Sequence, residues 1–66
     1  MSININKCLA EQLLPVKGIG PKKAVRIVQF RDMQQYTFRD LYELSVVKGF
    51  GRKTIDKIIA QQLLSV

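Results

Sequence analysis

Histidine is absent from this chain, and cysteine occurs once, at Cys8. A lone thiol excludes an intramolecular disulfide, and without imidazoles a metal site has few donors to draw on. Acids are scarce as well: five Asp and Glu stand against eleven Lys and Arg, a formal net charge of +6. Those carboxylates show no paired arrangement that would suggest metal or acid–base chemistry, and no Ser or Cys has a plausible base partner. Catalysis, a metal site and a cofactor are therefore not expected. No apolar run approaches the ~20 residues of a membrane span, and the start Met1-Ser2-Ile3-Asn4 lacks the features of a secretory leader. Membrane insertion is not expected. A complete chain would reside in the cytoplasm, whereas a piece of a longer receptor would sit outside it.

What remains is a short, basic chain. Its 66 residues make one domain at most. A chain this small buries only ~60% of its extended surface, so its stability should be a few kcal/mol. The apolar fraction of 47% is that of a globular domain. A charge of +6 on so small a body favours a polyanionic partner, nucleic acid before an anionic membrane.

The local pattern predicts an all-α domain of four main helices. Asn6 is a fair cap for a helix from Lys7 to about Pro15, with Leu9, Ala10, Leu13 and Leu14 at helical spacing. Pro15 disfavours helical geometry at Leu14 and ends that helix. A second helix runs from Pro21 to about Arg31 and turns Ala24, Ile27 and Val28 inward. Asp32 to Tyr36 reads as a loop. Thr37 or Asp40 caps a third helix carrying Leu41, Leu44 and Val47, with Asp40 and Glu43 in capping-box spacing. A fourth runs from Arg52 to about Leu63 on Ile55, Ile58, Ile59 and Leu63. Tyr36, Phe38 and Tyr42 are expected in the core.

Between the helices lie two glycine hinges loaded with cations. Val16-Lys17-Gly18-Ile19-Gly20-Pro21-Lys22-Lys23 runs straight into the second helix. Glycine allows a tight turn and close backbone approach, and Pro21 suits a first helical position, whose amide has no intrahelical partner. The free amides of a helix's first turn, backed by its dipole, suit an anion. Lys48-Gly49-Phe50-Gly51-Arg52-Lys53 forms the second hinge.

Sliding the chain by 31 residues lays one hinge on the other. Leu13 falls on Leu44, Val16 on Val47, Lys17 on Lys48, Gly18 on Gly49 and Gly20 on Gly51. Lys22 falls on Lys53, Arg26 on Lys57 and Ile27 on Ile58. A helical repeat whose glycines merely end helices explains the glycines. It does not explain why cations accompany them twice. Lys17, Lys22, Lys23 and Arg26 gather at the first hinge, and Lys48, Arg52, Lys53 and Lys57 at the second, eight of the eleven basic residues. Among the acids only Asp56 intrudes.

These residues resemble the helix-hairpin-helix family in tandem, nearest to the ComEA-type domain of bacterial competence DNA receptors. The resemblance rests on Ile5-Asn6, Leu13, Gly18-Ile19-Gly20, Ala24, Ile27 and Arg31, then Phe38, Leu44, Val47 and Gly49-Phe50-Gly51. It implies one domain over 1–66, with motif 1 at about 6–31 and motif 2 at about 37–63, related by a pseudo-twofold. Cys8-Leu9 stands where the family has Ala and a small hydroxyl residue, Gln34-Gln35 replaces a typical Asn-Gly, and Phe50 takes an aliphatic position.

The resemblance also implies binding of double-stranded DNA through phosphates, without base specificity. The implied contacts are Lys17, Gly18, Ile19, Gly20, Lys22, Lys23 and Arg26 at one hinge. At the other they are Lys48, Gly49, Phe50, Gly51, Arg52, Lys53 and Lys57. Ile19 and Phe50 are expected to plug each hinge into the core. A protein–protein interaction module of the same fold is the alternative. Repair enzymes that use this motif add a catalytic residue on further elements, for which this chain has no room.

Overall fold

The computed structural model describes residues 2–66, so Met1, ahead of the short extended lead-in expected at residues 3–6, lies outside the described residues. Two α-helices, α1 (Pro21–Met33) and α2 (Arg52–Ala60), are each preceded by a 3₁₀ helix, Ala10–Leu13 and Leu41–Val46. Two short strands, β1 (Ile3–Asn4) and β2 (Leu64–Ser65), pair in parallel with Ile3 opposite Leu64 and Asn4 opposite Ser65. The all-α, four-helix expectation is thus corrected on two counts. Its first and third helices are 3₁₀ segments, and a two-stranded parallel sheet joins the two ends of the described chain.

The 3₁₀ geometry follows from a period of three. In the first half the amides of Gln12, Leu14, Val16 and Ile19 each donate to the carbonyl three residues back, at 3.1–3.4 Å. Glu43, Val47 and Phe50 do the same in the second half, at 2.9–3.3 Å. Three residues per turn stack every third side chain on one face. Leu13, Val16 and Ile19 are buried on that face, as are Leu44, Val47 and Phe50. An α-helix would instead have buried Leu14, which is 47% exposed. Leu14 keeps α-region angles (φ −60°, ψ −34°) despite Pro15. The cap also moves: Leu9 flanks the first 3₁₀ helix, and its amide donates to Gln12 Oε1 at 2.7 Å. In the second half Asp40 Oδ1 accepts from the Glu43 amide at 3.2 Å, as its spacing indicated.

Both α-helices lay an apolar stripe into one core. Ala24 and Ile27 of α1 and Ile55 and Ile58 of α2 belong to the same buried cluster, with Ile5, Leu13, Phe38 and Leu44 also fully enclosed. Each such aliphatic side chain contributes about 1.5–3 kcal/mol relative to exposure. Polar clamps fasten the lead-in to this core. Asn6 does not cap a helix. Its side chain donates to Phe38 O (2.9 Å) and accepts from the Phe38 amide (2.7 Å). Arg31 donates to the carbonyls of Ile5 (3.1 Å) and Cys8 (2.7 Å), and pairs with Asp32 at 2.9 Å. Burial pushes the Cys8 thiol above its ordinary pKa, so it behaves as a small apolar side chain.

Phe30, Tyr36 and Phe38 form an aromatic cluster with ring centroids 5.0–6.4 Å apart. Tyr36 also donates to Glu43, which raises its pKa. Tyr42, by contrast, is 48% exposed and does not join the core.

Helix α1 ends at Met33 with Gln34 as its C-cap, and Gln35 follows in the left-handed region (φ +49°). The Tyr36 amide then donates to Arg31 O at 2.9 Å, the six-to-one bond of a Schellman turn. A non-glycine residue there is strained by ~1–2 kcal/mol. Gln35→Gly is expected to stabilise the domain by about 0.5–1 kcal/mol, once the entropy that glycine adds to the unfolded chain is subtracted. The check is a thermal melt, with a midpoint a few degrees higher. An equal or lower midpoint would mean that Gln35 sits there without strain.

Candidate nucleic-acid interface

The two hinges have the same backbone. Gly18 and Gly49 carry φ of +97° and +98°. Gly20 and Gly51, each the residue before a helix, are extended at φ −92° and −93°. The first glycine of each pair turns the chain, and the second leads into the helix. The Ala24 amide then reaches Gly20 O at 2.9 Å, and the Ile55 amide reaches Gly51 O at 3.0 Å.

A helix start leaves amides without intrahelical acceptors. At the first hinge those of Gly18, Gly20, Lys22 and Lys23 donate to no other group among the described residues, and Pro21 has none to offer. At the second hinge the same holds for Lys48, Gly49, Gly51, Arg52, Lys53 and Thr54. A Cβ added to Gly20 or Gly51 would meet nothing within 4 Å. Both glycines are thus exposed, with nothing packed over their Cα atoms. Ile19 and Phe50 are only 4% and 6% exposed, and their amides are spent on Val16 O and Val47 O. They shape the hinges from inside, as plugs.

The hinges pack crosswise, each on the other motif's helix. Gly18 lies against Ile58 and Thr54 of α2, and Gly49 against Lys23 and Arg26 of α1. Gln61, just past α2, clamps Lys17 on both sides. It accepts from the Lys17 amide (2.9 Å) and donates to the Lys17 carbonyl (2.7 Å). One amide of the first hinge is thereby closed to an anion. The clamp spans 44 residues and has no counterpart in the repeat, where Phe30 occupies the matching position. No local pattern in the sequence announces it.

The cations fall into three groups. Lys17, Lys22, Lys48, Lys53 and Lys57 are exposed, with no carboxylate partner among the described residues. Lys23 and Arg26 border the hollow beside Gly18 and Gly20, and also reach the second hinge. Arg52 is partly engaged: its guanidinium stacks on Tyr42 at 4.9 Å and pairs with Asp56 at 3.3 Å. Arg31 stands apart, engaged by the carbonyls of Ile5 and Cys8 and by Asp32. Among the described residues no group of His, Cys, Asp or Glu is placed to hold a metal ion. None of their helices is long and apolar enough to cross a membrane.

A repeated unit of 3₁₀ helix, glycine hinge and α-helix, with free amides at the hinge, defines the class. Residues 1–63 match the helix-hairpin-helix motif family, and the chain belongs to it. It is 34% identical over 56 residues to ComE operon protein 1 of Bacillus subtilis (strain 168), covering 85% of this chain and 27% of that protein. It is 33% identical over 57 residues to the Holliday junction branch migration complex subunit RuvA of Thermodesulfovibrio yellowstonii, covering 80% of this chain and 30% of the relative. The chain thus spans less than a third of either relative. No solved structure matches at a comparable level of significance. The family read from the hinges is the one found, related to a ComE protein as the resemblance implied.

Proposed function

We propose that the chain binds double-stranded DNA through phosphates at its two glycine hinges, with little regard to base sequence. It acts as one unit, motif 1 at about 6–31 and motif 2 at about 37–63, and performs no catalysis. The observation that carries this reading is the duplication. Two hinges of matching backbone each present unspent amides and free lysines to open space. Backbone amides at a helix start favour an oxyanion, and lysines that carry no sequence information suit a uniform phosphate backbone. The surplus of six positive charges supplies long-range attraction to a polyanion. One relative is named for the Holliday junction and the other for the ComE operon. Those names fit uptake, repair or recombination as the setting.

The roles divide by geometry. Gly18 and Gly49 turn the chain, Gly20 and Gly51 leave the approach open, and Lys22 and Lys53 flank the amides from the first helical turn. Lys17, Lys48 and Lys57 add charge beside them. Arg52 contributes once it leaves Tyr42 and Asp56, an exposed pairing worth at most about 1 kcal/mol.

The test is a gel shift with random-sequence duplex at low salt, with and without heparin, on wild type and on Lys22→Ala combined with Lys53→Ala. Wild type should shift the duplex. The double variant should bind more weakly and show a salt slope shallower by about 2, one for each phosphate no longer neutralised. Far-UV circular dichroism should be unchanged, because both side chains are exposed. Equal affinity would remove these lysines from the interface. A wild-type protein that leaves duplex unshifted would favour a protein-interaction module instead.

A further inference from the structure

Two cations of α1, Lys23 and Arg26, border the hinge that precedes them and also reach the other one. Arg26 Nη1 lies 3.2 Å from the position a Cβ on Gly49 would take, and Lys23 Cε lies 3.6 Å from it. Lys23 Nζ also stands 5.6 Å from the centre of the Phe50 ring. Arg26 and Lys48 line one hollow together with Val47. Neither Lys23 nor Arg26 has a carboxylate partner among the described residues. The fold therefore assembles Lys23, Arg26 and Lys48 around one glycine with no anion to balance them. Cations gathered on one side of a hinge with no carboxylate among them favour an anion there.

The reciprocal position is different. At Lys23's place in the repeat α2 carries Thr54, whose methyl faces Gly18 at 3.8 Å from a notional Cβ. Gln61 closes the Lys17 amide at that same hinge, while the Lys48 amide stays free. The two hinges share a backbone but not an electrostatic setting.

We propose that the second hinge is a composite phosphodiester site completed by Lys23 and Arg26 of α1, and that it binds DNA phosphate more strongly than the first. Resting on the duplex-binding reading above, this gives the two side chains, which also border the first hinge's hollow, their main role at the hinge across the domain. A phosphate at the second hinge then has Lys48 and Lys53 from its own motif and Lys23 and Arg26, beside Gly49 and Phe50, from the other.

Valine at the second glycine of a hinge blocks that hinge alone, because Gly20 and Gly51 face open space in extended geometry. Lys23→Ala with Arg26→Ala is therefore measured in three backgrounds: wild type, Gly20→Val and Gly51→Val. Thermal melts confirm that each protein is folded. In wild type and in Gly20→Val the pair should cost about tenfold in duplex affinity at low salt, as expected when two phosphates lose their cations. In Gly51→Val the cost should shrink to about twofold or less, leaving only general attraction. Disappearance of the effect in Gly20→Val instead would assign the two cations to the first hinge and overturn the proposal. An equal cost in all three backgrounds would overturn it too, by reducing both side chains to general charge. Failure of the underlying reading is separately visible, since wild type itself would then not bind duplex.

Discussion

Gly18→Ala and Gly49→Ala are each expected to destabilise the domain by about 1–3 kcal/mol, the cost of holding a non-glycine residue in a sparsely populated backbone conformation. Both positions sit at φ of +97° and +98°, where an L side chain is strained whatever the space around it. Space does little to separate them. A Cβ at Gly18 would touch Ile58 and Thr54 at ordinary distances of 3.6 and 3.8 Å. A Cβ at Gly49 would meet Arg26 Nη1 at 3.2 Å, the far end of a flexible side chain that can swing away. The two variants should therefore cost about the same. In a domain held by only a few kcal/mol, that lowers the melting midpoint on the order of 10 °C. Circular dichroism melts measure it directly. A wild-type midpoint in either variant would mean that the hinge relaxes out of its positive φ, and the turn would not need glycine.

The second glycine of each pair should behave in the opposite way. Gly20→Val and Gly51→Val together are expected to leave the melt near wild type and to remove most duplex binding. At φ −92° and −93°, with ψ of 178° and 172°, the backbone is extended and any residue adopts it. A new side chain points into open space. On the proposed cradle a phosphate comes close to the exposed second glycine, so the valine methyls would crowd its approach. A hydrogen bond to a charged group is worth about 1.5–3 kcal/mol, so each blocked hinge should cost at least about tenfold. The outcome to look for is a folded protein with weak residual, purely salt-driven binding. Wild-type affinity in the folded double variant would exclude the amide cradle and leave the lysines to act alone.

Much of this is legible in the chain. The 31-residue repeat locates both hinges, and Pro21 marks the start of α1 correctly. The inward residues Ala24, Ile27, Ile55 and Ile58 are buried as their spacing indicates. The segments before the hinges mislead because Leu41, Leu44, Val47 and Phe50 recur at three, a spacing that α and 3₁₀ helices share over one turn. Carried through the hinge to Phe50, or from Ala10 through Leu13 and Val16 to Ile19, the period stays at three and points to 3₁₀ geometry. Ile3-Asn4-Ile5-Asn6 reads as a short extended lead-in, but its pairing with β2 escapes notice because two residues at Leu64–Ser65 carry no alternation to read. Which glycine of a pair takes positive φ is likewise not written in the pair itself.

The crosswise packing is the least visible feature. Gln61 on Lys17, and Lys23 and Arg26 on Gly49, bring together residues far apart in sequence. Each depends on the two motifs docking helix to hinge, which neither motif specifies alone. Grouping cations by their neighbours in sequence therefore puts Lys23 and Arg26 with the first hinge only, whereas the fold places them between the two.

The most direct measurement of phosphate-only recognition is a salt titration of wild-type affinity on two unrelated duplexes of equal length and on one single strand. With ~6 phosphates neutralised across both hinges, log K should fall against log salt with a slope of roughly −5. The two duplexes should differ by less than about 1 kcal/mol, below the cost of one mismatch in a specific site. The single strand should bind more weakly, because the proposed geometry needs phosphates on both sides of a groove. A flat salt response, a strong preference for one duplex or a single-strand advantage would each contradict binding by amides and lysines at the two hinges.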